Sequence, residues 1–156
     1  MSNVVTGYTA ETRLEMRELL DRYVNSVNTH NWAMLEDTFA TDAVWEILAP
    51  YNMRAEGAAA IANEVKSAHE GFEFCVMMTS GAVIDYVSDD RATVQSTLFE
   101  MLRMLDGQSG ITLHGIYRDE LVRERDAWRF GARRFHIIYV DTTAPPGQFF
   151  GGSPGA

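Results

Sequence analysis

The stretch ITLHGIYRDELVRERDAWRFGARRFHIIYV, residues 111–140, decides the fold. It contains two long runs of alternating apolar and polar residues, joined by the short segment RDA. Period-two alternation on both sides of a short turn predicts a β-hairpin. A hairpin needs further strands and a helical cover to be stable. Its polar side chains Tyr117, Asp119, Arg133 and Arg134 could meet in an enclosed space.

Two runs upstream supply candidate neighbours for this hairpin. FEFCVMMTSGAVIDYV, residues 72–87, is predicted as a strand pair or as one long bent strand with Gly81 as a bulge. ATVQSTLFEMLRML, residues 92–105, alternates as a strand does, although its second half could also be helical. The segment DGQSG then predicts a turn into the hairpin.

The chain before Phe72 is mainly helical in pattern. Residues 1–9 are expected to form a loose arm, and Thr9 or Thr12 to cap a helix that ends near Asn28. Spacings of three and four residues predict one buried stripe on this helix. The stripe consists of Leu14, Met16, Leu19, Leu20, Tyr23, Val24 and Val27.

A second, shorter helix is expected to bury Trp32, Leu35 and Phe39. A short strand, AVWEILA, and a loop marked by Pro50, Asn52 and Gly57 follow it. The run AAAIANEVKSAHE, residues 58–70, is predicted as a third helix because its helix propensity is high.

This order of elements predicts an α+β domain in which three N-terminal helices lie on one face of a strongly curved antiparallel sheet. We expect a single domain over residues 1–156 with its core at about 12–140. The tail, residues 141–156, is rich in Gly and Pro and is predicted to be irregular.

Composition narrows the classes of function. The formal net charge of −9 argues against a nucleic-acid surface, which needs clustered Lys and Arg, and against binding to anionic membranes. No segment has the roughly 18 apolar residues of a membrane span. Cys75 is the only cysteine and the N-terminus lacks a signal-peptide pattern, so we expect a cytoplasmic protein.

Two motifs resemble the nuclear-transport-factor-2-like superfamily in its polyketide-cyclase-like (SnoaL-like) branch. They are LLDRYVNSVNTHNWAMLEDTFATDAVWEI near the start and GIYRDELVRERDAWRFGARRF near the end. The resemblance implies a cone, in which a curved sheet wraps three helices around a deep, mostly apolar pocket. Members of the family include dehydratases, isomerases, epoxide hydrolases, cyclases, diarylpropane lyases and a hexachlorocyclohexane dehydrochlorinase, and other members are noncatalytic.

The motifs are most similar to those of the dehydrochlorinase type, which uses an Asp–His dyad assisted by an arginine. Asn31 stands at the position that resembles the Asp, Met77 at the position that resembles the His, and Arg133 at that of the arginine. The dyad is therefore missing, and chloride elimination by that mechanism is not expected. The resemblance also implies the cavity lining: Trp45, Met53, Phe72, Cys75, Met77, Leu98, Glu100, Tyr117, Arg133, Phe135 and Ile137.

Three of these residues are candidates for catalysis. Glu100 has apolar neighbours on both sides, so an inward carboxyl would have a raised pKa suited to proton transfer. Arg133 could stabilise a developing negative charge, or it could form an ion pair with Glu100 or Asp119. Tyr117 could orient a substrate oxygen or serve as an aromatic wall. Glu100 could also face solvent on the other side of its strand.

The remaining polar candidates have weaker roles. Tyr23 and Asn31 are expected at the pocket mouth, where Asn31 could only position a ligand because an amide is not a base. His114 and His136 lie on adjacent strands, and alternation points both away from the cavity. A strand bulge could reverse this direction and make one of them a general base. His30 and His69 are expected to be exposed. The histidines have no metal-ligand spacing, and neither a metal ion nor a cofactor is expected.

The sequence thus favours a cofactor-independent lyase, dehydratase or isomerase that acts by proton transfer on a hydrophobic, aromatic or polycyclic small molecule. A lignin-derived, steroid-like or polyketide-like compound is expected, with a role in the breakdown of aromatic compounds. The alternative is a noncatalytic binding or assembly module of the same fold. Apolar residues on the outer face of the sheet further predict a homo-oligomer, a trimer or a dimer.

Overall fold

The computed structural model describes residues 8–151. The predicted arm at 1–9 falls mostly outside this range, as does the end of the tail at 152–156. The elements are α1 (Ala10–Asn28), α2 (Trp32–Asp37), β1 (Phe39–Ile47), β2 (Met53–Glu56), α3 (Ala58–His69), β3 (Phe72–Ser88), β4 (Arg91–Met104), β5 (Ser109–Glu124) and β6 (Ala127–Thr143). The fold is α+β, as the order of patterns predicted. None of the helices in this range is long and apolar enough to cross a membrane.

The predicted hairpin is confirmed as β5 and β6, which pair antiparallel along almost their whole length. Two residues, Arg125 and Asp126, form the turn, and both have left-handed backbone angles, with φ of 52° and 61°. Two successive residues with positive φ are typical of hairpin turns whose twist matches that of the strands. Strand β6 continues to Thr143, so the irregular tail begins later than predicted.

The six strands form one curved, unclosed sheet in the order β2-β1-β6-β5-β4-β3. Strand β1 runs parallel to β6, and the other neighbours are antiparallel. The segment predicted as a loop contains the short edge strand β2. Its four residues alternate too weakly to predict a strand. Strand β3 is one continuous strand whose pairing with β4 shifts around Gly81, where φ is +62°.

Helix α1 covers the concave face of the sheet. Thr9 caps it, its hydroxyl oxygen accepting a hydrogen bond from the backbone N–H of Thr12 at 3.1 Å. Most of the predicted stripe is buried, but Leu14 is 65% exposed because it lies on the opposite side of the helix from Met16 and Tyr23. Phe39 is buried as predicted, although it opens β1 because α2 ends at Asp37.

Asn28, the last residue of α1, fixes the helix to the outer edge of the sheet. Its side-chain amide donates to the carbonyl oxygen of Met77, and its amide oxygen accepts from the N–H of the same residue, both at 2.9 Å. Strand β3 is an edge strand with unpaired backbone groups at this position. The asparagine therefore takes the place of a neighbouring strand and holds the helix beside the concave interior.

Gly115 on β5 generates the first prediction, because a side chain there would enter the interior. A Cβ atom at this position would lie within unfavourable contact distance of the His136 carbonyl oxygen and of the Phe135 ring. We expect Gly115→Ala to lower the free energy of unfolding by about 1–3 kcal/mol, the usual cost of overpacking a dense core. Chemical denaturation measures the change. Gly147→Ala is the matched control because nothing lies within 4 Å of its added Cβ, and equal effects of the two substitutions would contradict the prediction.

Candidate functional site

A cavity of about 150 Å³ lies between the helices and the concave face of the sheet. Its wall is mainly apolar, with side chains from α1, α3 and the strands. Most of the residues expected in the lining are found there: Tyr23, Trp45, Met53, Phe72, Met77, Leu98, Glu100, Tyr117 and Phe135. Period-two alternation along β4 and β5 places the strand members of this set on one face.

Three expected lining residues lie elsewhere, as does Asn31, which was expected at the pocket mouth. Asn31 is exposed and caps α2, its side-chain oxygen accepting from the N–H of Met34 at 3.0 Å. Ile137 packs against the core outside the lining. Cys75 is buried behind the wall, and Arg133 is enclosed more deeply still. These side chains are placed by how deeply they are buried or, for Asn31, by capping of a helix. Period-two alternation along a strand predicts neither.

Glu100 lies in the cavity wall on β4. The residues opposite it on the neighbouring strands are Met77 and Leu113, so neither strand offers a cation there. Burial raises the pKa of the Glu100 carboxyl to about 7, and a hydrogen bond from the Cys75 thiol lowers it only in part. The side chain is half-buried and keeps some accessible surface. At neutral pH it is therefore poised between its acid and its base form.

Arg133 is fully buried in a box of three aromatic rings. Its guanidinium carbon lies 3.7 Å from the ring centre of Tyr117, 4.0 Å from that of Tyr23 and 4.3 Å from that of Phe130. One guanidinium nitrogen is 3.7 Å from a carboxylate oxygen of Asp119, which is also fully buried. The guanidinium nitrogens make no hydrogen bond within residues 8–151. The cation thus lies behind the cavity wall and pairs with Asp119, one of the two pairings left open by the sequence.

Two phenol groups stand between this cation and the cavity. The hydroxyl oxygens of Tyr23 and Tyr117 are 3.4 Å apart, and both rings line the cavity. Burial raises the pKa of both phenols, most strongly for Tyr117, and the nearby Arg133 charge acts in the opposite direction. The hydroxyls therefore stay protonated near neutral pH and can donate hydrogen bonds.

His69, which was expected to be exposed, lines the cavity instead. It is the last residue of α3, and its Nδ1 lies 2.7 Å from the carbonyl oxygen of Val65. Burial lowers the pKa of its imidazole. The sequence held a signal for this position, since Ile61, Val65 and His69 recur every four residues and so share one face of the helix. The two histidines of the hairpin, His114 and His136, do not line the cavity, and they are not paired with each other across the strands.

The fold is a curved sheet that covers helices and encloses a small apolar cavity with a few polar groups. This arrangement defines the cone-shaped class of α+β proteins that the two motifs indicated. The model of the SnoaL-like domain family matches residues 8–134. The chain belongs to this family. No curated protein matches the sequence.

Solved structures agree on the fold. A hexachlorocyclohexane dehydrochlorinase, LinA type 2, is similar with a TM-score of 0.78 and 18% identity over 94% of this chain and 96% of that one. LinA type 3 from Novosphingobium barchaimii LL02 has a TM-score of 0.77 and 15% identity over 91% and 96%. A candidate scytalone dehydratase from Novosphingobium aromaticivorans DSM 12444 has a TM-score of 0.74 and 21% identity over 90% and 99%. At these identities the likeness shows the fold alone.

The raised pKa of Glu100 predicts how stability changes with pH. In the unfolded chain the carboxyl loses its proton near its ordinary pKa of 4.5, whereas in the fold it keeps the proton up to about pH 7. Between these values the folded state binds more protons, so the free energy of unfolding falls as pH rises.

We expect Glu100→Gln, which keeps the shape and removes the charge, to flatten this fall by about 1–2 kcal/mol between pH 5 and 8, a figure discounted for partial exposure. Denaturant titrations at several pH values measure it. Glu120→Gln is the control because Glu120 is exposed on the neighbouring strand. Identical pH slopes for Glu100→Gln and the unsubstituted protein would contradict the assignment.

Proposed function

We propose that the protein is a cofactor-independent lyase, of the dehydratase type, or an isomerase that moves a proton on a small neutral ring compound. One observation carries the proposal: a carboxyl with a pKa of about 7, Glu100, lies in the wall of an apolar cavity with no cation opposite it. A group whose pKa lies near the operating pH is the most effective proton donor or acceptor. Family membership supports the class, because dehydratase-type and dehydrochlorinase-type proteins share this fold.

The paired phenols supply the second element of the mechanism. A substrate carbonyl oxygen beside Tyr23 and Tyr117 would accept hydrogen bonds that strengthen as negative charge develops on it. Arg133 does not line the cavity, so we assign it an indirect role. Its charge against both rings polarises the phenols and makes their hydroxyls better donors.

The size and charge of the cavity narrow the substrate class. A volume near 150 Å³ suits a single six-membered ring, since an apolar cavity of about this size holds benzene. Drug-sized ligands occupy roughly 300–1,000 Å³, so the volume favours single-ring compounds over steroid-like or polycyclic ones. Among the described residues in the lining there is no Lys or Arg. This argues against an anionic substrate, because a carboxylate or phosphate would enter without a counterion.

Substitution of Glu100 tests the proposal directly. A panel of single-ring ketones, β-hydroxy ketones and phenols is incubated with the protein in D₂O, and NMR follows both hydrogen–deuterium exchange and the loss of water. We expect Glu100→Gln to lower turnover by at least about 100-fold, the lower end of what a general acid or base contributes. Glu120→Gln should retain full turnover. Unchanged turnover in Glu100→Gln would remove this residue from the mechanism.

Tyr117→Phe tests the role of the phenol pair. We expect it to lower kcat by about 10–100-fold, with a smaller change in KM, because the lost hydrogen bond is stronger in the transition state than in the ground state. The ring and its contact with Arg133 remain. Tyr139→Phe is the control, since Tyr139 is exposed on the outer face. A rise in KM at constant kcat would show a binding role only.

A noncatalytic binding module is the alternative, and a specific observation favours it. The two positions that resemble the catalytic dyad hold Asn31, which caps α2, and Met77, which is an apolar wall residue. If compounds of the panel bind and are recovered chemically unchanged, without deuterium exchange, this alternative accounts for the cavity. Exchange or water loss supports the enzyme.

The outer face of the sheet supports a homo-oligomer, a trimer or a dimer. Val76, Met78 and Val83 on β3 and Ile138 and Tyr139 on β6 are exposed apolar or aromatic side chains. Such side chains are usually covered in an assembly. Sedimentation is expected to show more than one subunit, and Ile138→Asp should shift the distribution toward the monomer. A wild-type monomer at micromolar concentration would contradict this part of the proposal.

A further inference from the structure

The Glu100 carboxyl lies where a ligand that enters the cavity can reach it. Glu100 keeps accessible surface, although Leu98 and Leu102, two positions before and after it on β4, are buried. Tyr51, in the loop between β1 and β2, and Glu64, on α3, also line the cavity and are exposed. Exposed lining residues lie where a cavity meets solvent, so these two mark its opening. A ligand that enters between them reaches Glu100.

The charges of the lining favour a cation as that ligand. The part of the lining that the structure describes contains two carboxyl groups, those of Glu64 and Glu100, and neither lysine nor arginine. Burial lowers the pKa of the imidazole of His69, the histidine of the lining, so this ring is uncharged near neutral pH. The formal net charge of the chain is −9, and the negative potential that results attracts cations to the opening.

Aromatic rings supply the second element of a site for an organic cation. The faces of such rings carry partial negative charge and attract an ammonium group. The rings of the lining are those of Tyr23, Trp45, Tyr51, Phe72, Tyr117 and Phe135. A ligand that combines one apolar ring with one ammonium group therefore matches both the wall and the carboxyl.

Arg133 does not prevent a second cation from binding beside Glu100. Its guanidinium carbon lies behind the wall, 3.7 Å from the ring centre of Tyr117, and one of its nitrogens is 3.7 Å from an oxygen of Asp119. Glu100 has uncharged residues opposite it on both neighbouring strands. The place beside this carboxyl is therefore open to a cation from outside the chain.

We propose that the cavity binds single-ring primary amines as ammonium ions, with the ring against the aromatic wall and the ammonium group paired with the Glu100 carboxylate. A volume of about 150 Å³ accommodates one six-membered ring. The inference goes beyond the proposed function, because it concerns a ligand that is bound and not converted. A neutral substrate would use the protonated carboxyl, whereas the amine uses the ionised one. Single-ring amines therefore compete with the substrate.

Binding of the ammonium ion is linked to release of the Glu100 proton. Without a ligand the carboxyl has a pKa of about 7, and a cation beside it lowers that pKa. At pH 6 the carboxyl has to lose its proton when the amine binds, whereas at pH 8 it is already ionised. The affinity therefore rises with pH, by up to about tenfold per pH unit below the pKa, and levels off above it.

The other titratable groups around Glu100 keep their charge state in this range. They are Cys75 on β3, Tyr23 on α1, Tyr117 on β5 and His69 on α3. Burial raises the pKa of the thiol and of both phenols, which stay protonated, and lowers the pKa of the imidazole, which stays neutral. Glu64 is the remaining carboxyl of the described lining, and its substitution separates its contribution from that of Glu100.

The test compares benzylamine, benzyl alcohol and benzoate by isothermal titration calorimetry. The three compounds share one ring and carry a cationic, a neutral and an anionic substituent. At about pH 8 we expect benzylamine to bind at least about 10-fold more tightly than benzyl alcohol, because a hydrogen bond between charged groups adds roughly this much. Benzoate should bind more weakly than the alcohol. Equal affinities of benzylamine and benzyl alcohol would overturn the inference.

Glu100→Gln is the informative variant. We expect it to lower the affinity for benzylamine by at least about 10-fold, to remove the pH dependence and to leave the affinity for benzyl alcohol unchanged, which shows that the cavity is intact. Glu64→Gln should lower the affinity for benzylamine by less than about threefold, since exposed ion pairs are weak. Glu120→Gln is the control on an exposed position. Unchanged benzylamine binding in Glu100→Gln, or a loss confined to Glu64→Gln, would overturn the pairing.

The unsubstituted protein provides a second measurement if Glu100→Gln does not fold. Titrations at about pH 6 in two buffers of different ionisation enthalpy report the protons released when benzylamine binds. We expect release at this pH and almost none at about pH 8, where the carboxyl is already ionised. Benzylamine binding without proton release, or with the same affinity at both pH values, would overturn the inference.

The outcomes also separate this inference from the proposed function. Tight benzylamine binding, with no turnover or deuterium exchange of any panel compound, would support the inference and overturn the proposed function. Turnover of a panel compound in a protein that binds benzylamine no better than benzyl alcohol would do the reverse.

Discussion

The burial of one cation, Arg133, is the constraint on which the rest of the interior depends. A fully buried guanidinium that makes no hydrogen bond within residues 8–151 requires other stabilisation. Here three aromatic rings and the Asp119 side chain provide it. The rings come from α1, β5 and β6, so the charge fixes the first helix against the hairpin. Removing one partner of such a pair costs about 3–5 kcal/mol because the other charge is left buried and unpaired. The position of α1, and with it the depth of the cavity, follows from this contact.

The same burial determines the electrostatics of the cavity. Because the cation is held behind the phenol rings and lies next to Asp119, it does not ion-pair with Glu100. The Glu100 carboxyl is left with burial and a weak thiol donor, and its pKa rises to about 7. If Arg133 reached the cavity and paired with Glu100, its charge would act against burial and lower the pKa of that carboxyl. The structure thus separates two groups: the cation lies enclosed behind the cavity wall, and the Glu100 carboxyl lies in the wall without a cation opposite it.

Much of this could be predicted from local patterns, because period-two and period-3.6 spacing report which face a residue occupies. Alternation predicted the hairpin, helical spacing predicted α1, and high helix propensity predicted α3. The same patterns do not show how deeply an inward side chain is buried. Arg133 points inward as alternation predicts, yet whether an inward arginine reaches a cavity depends on the rings that enclose it, which come from three separate elements. Asn31 was misplaced for a related reason, because its side chain is used as a helix cap, and capping depends on where the helix begins.

For His69 the sequence contains a pattern that indicates a buried position, and the prediction of an exposed side chain was wrong. A histidine at the end of a helix is usually exposed, but spacing by four from Ile61 and Val65 continues the buried stripe to the last residue of α3. The hydrogen bond that fixes its tautomer is formed within the helix itself, so an imidazole at this position is oriented by the backbone before any ligand binds. Met77 lies on the edge strand β3, and its backbone groups are bonded to the Asn28 side chain. The cavity thus has a carboxyl on its sheet side, Glu100, and an imidazole on its helical side, His69, and only the first of these could be predicted from the pattern of its own strand.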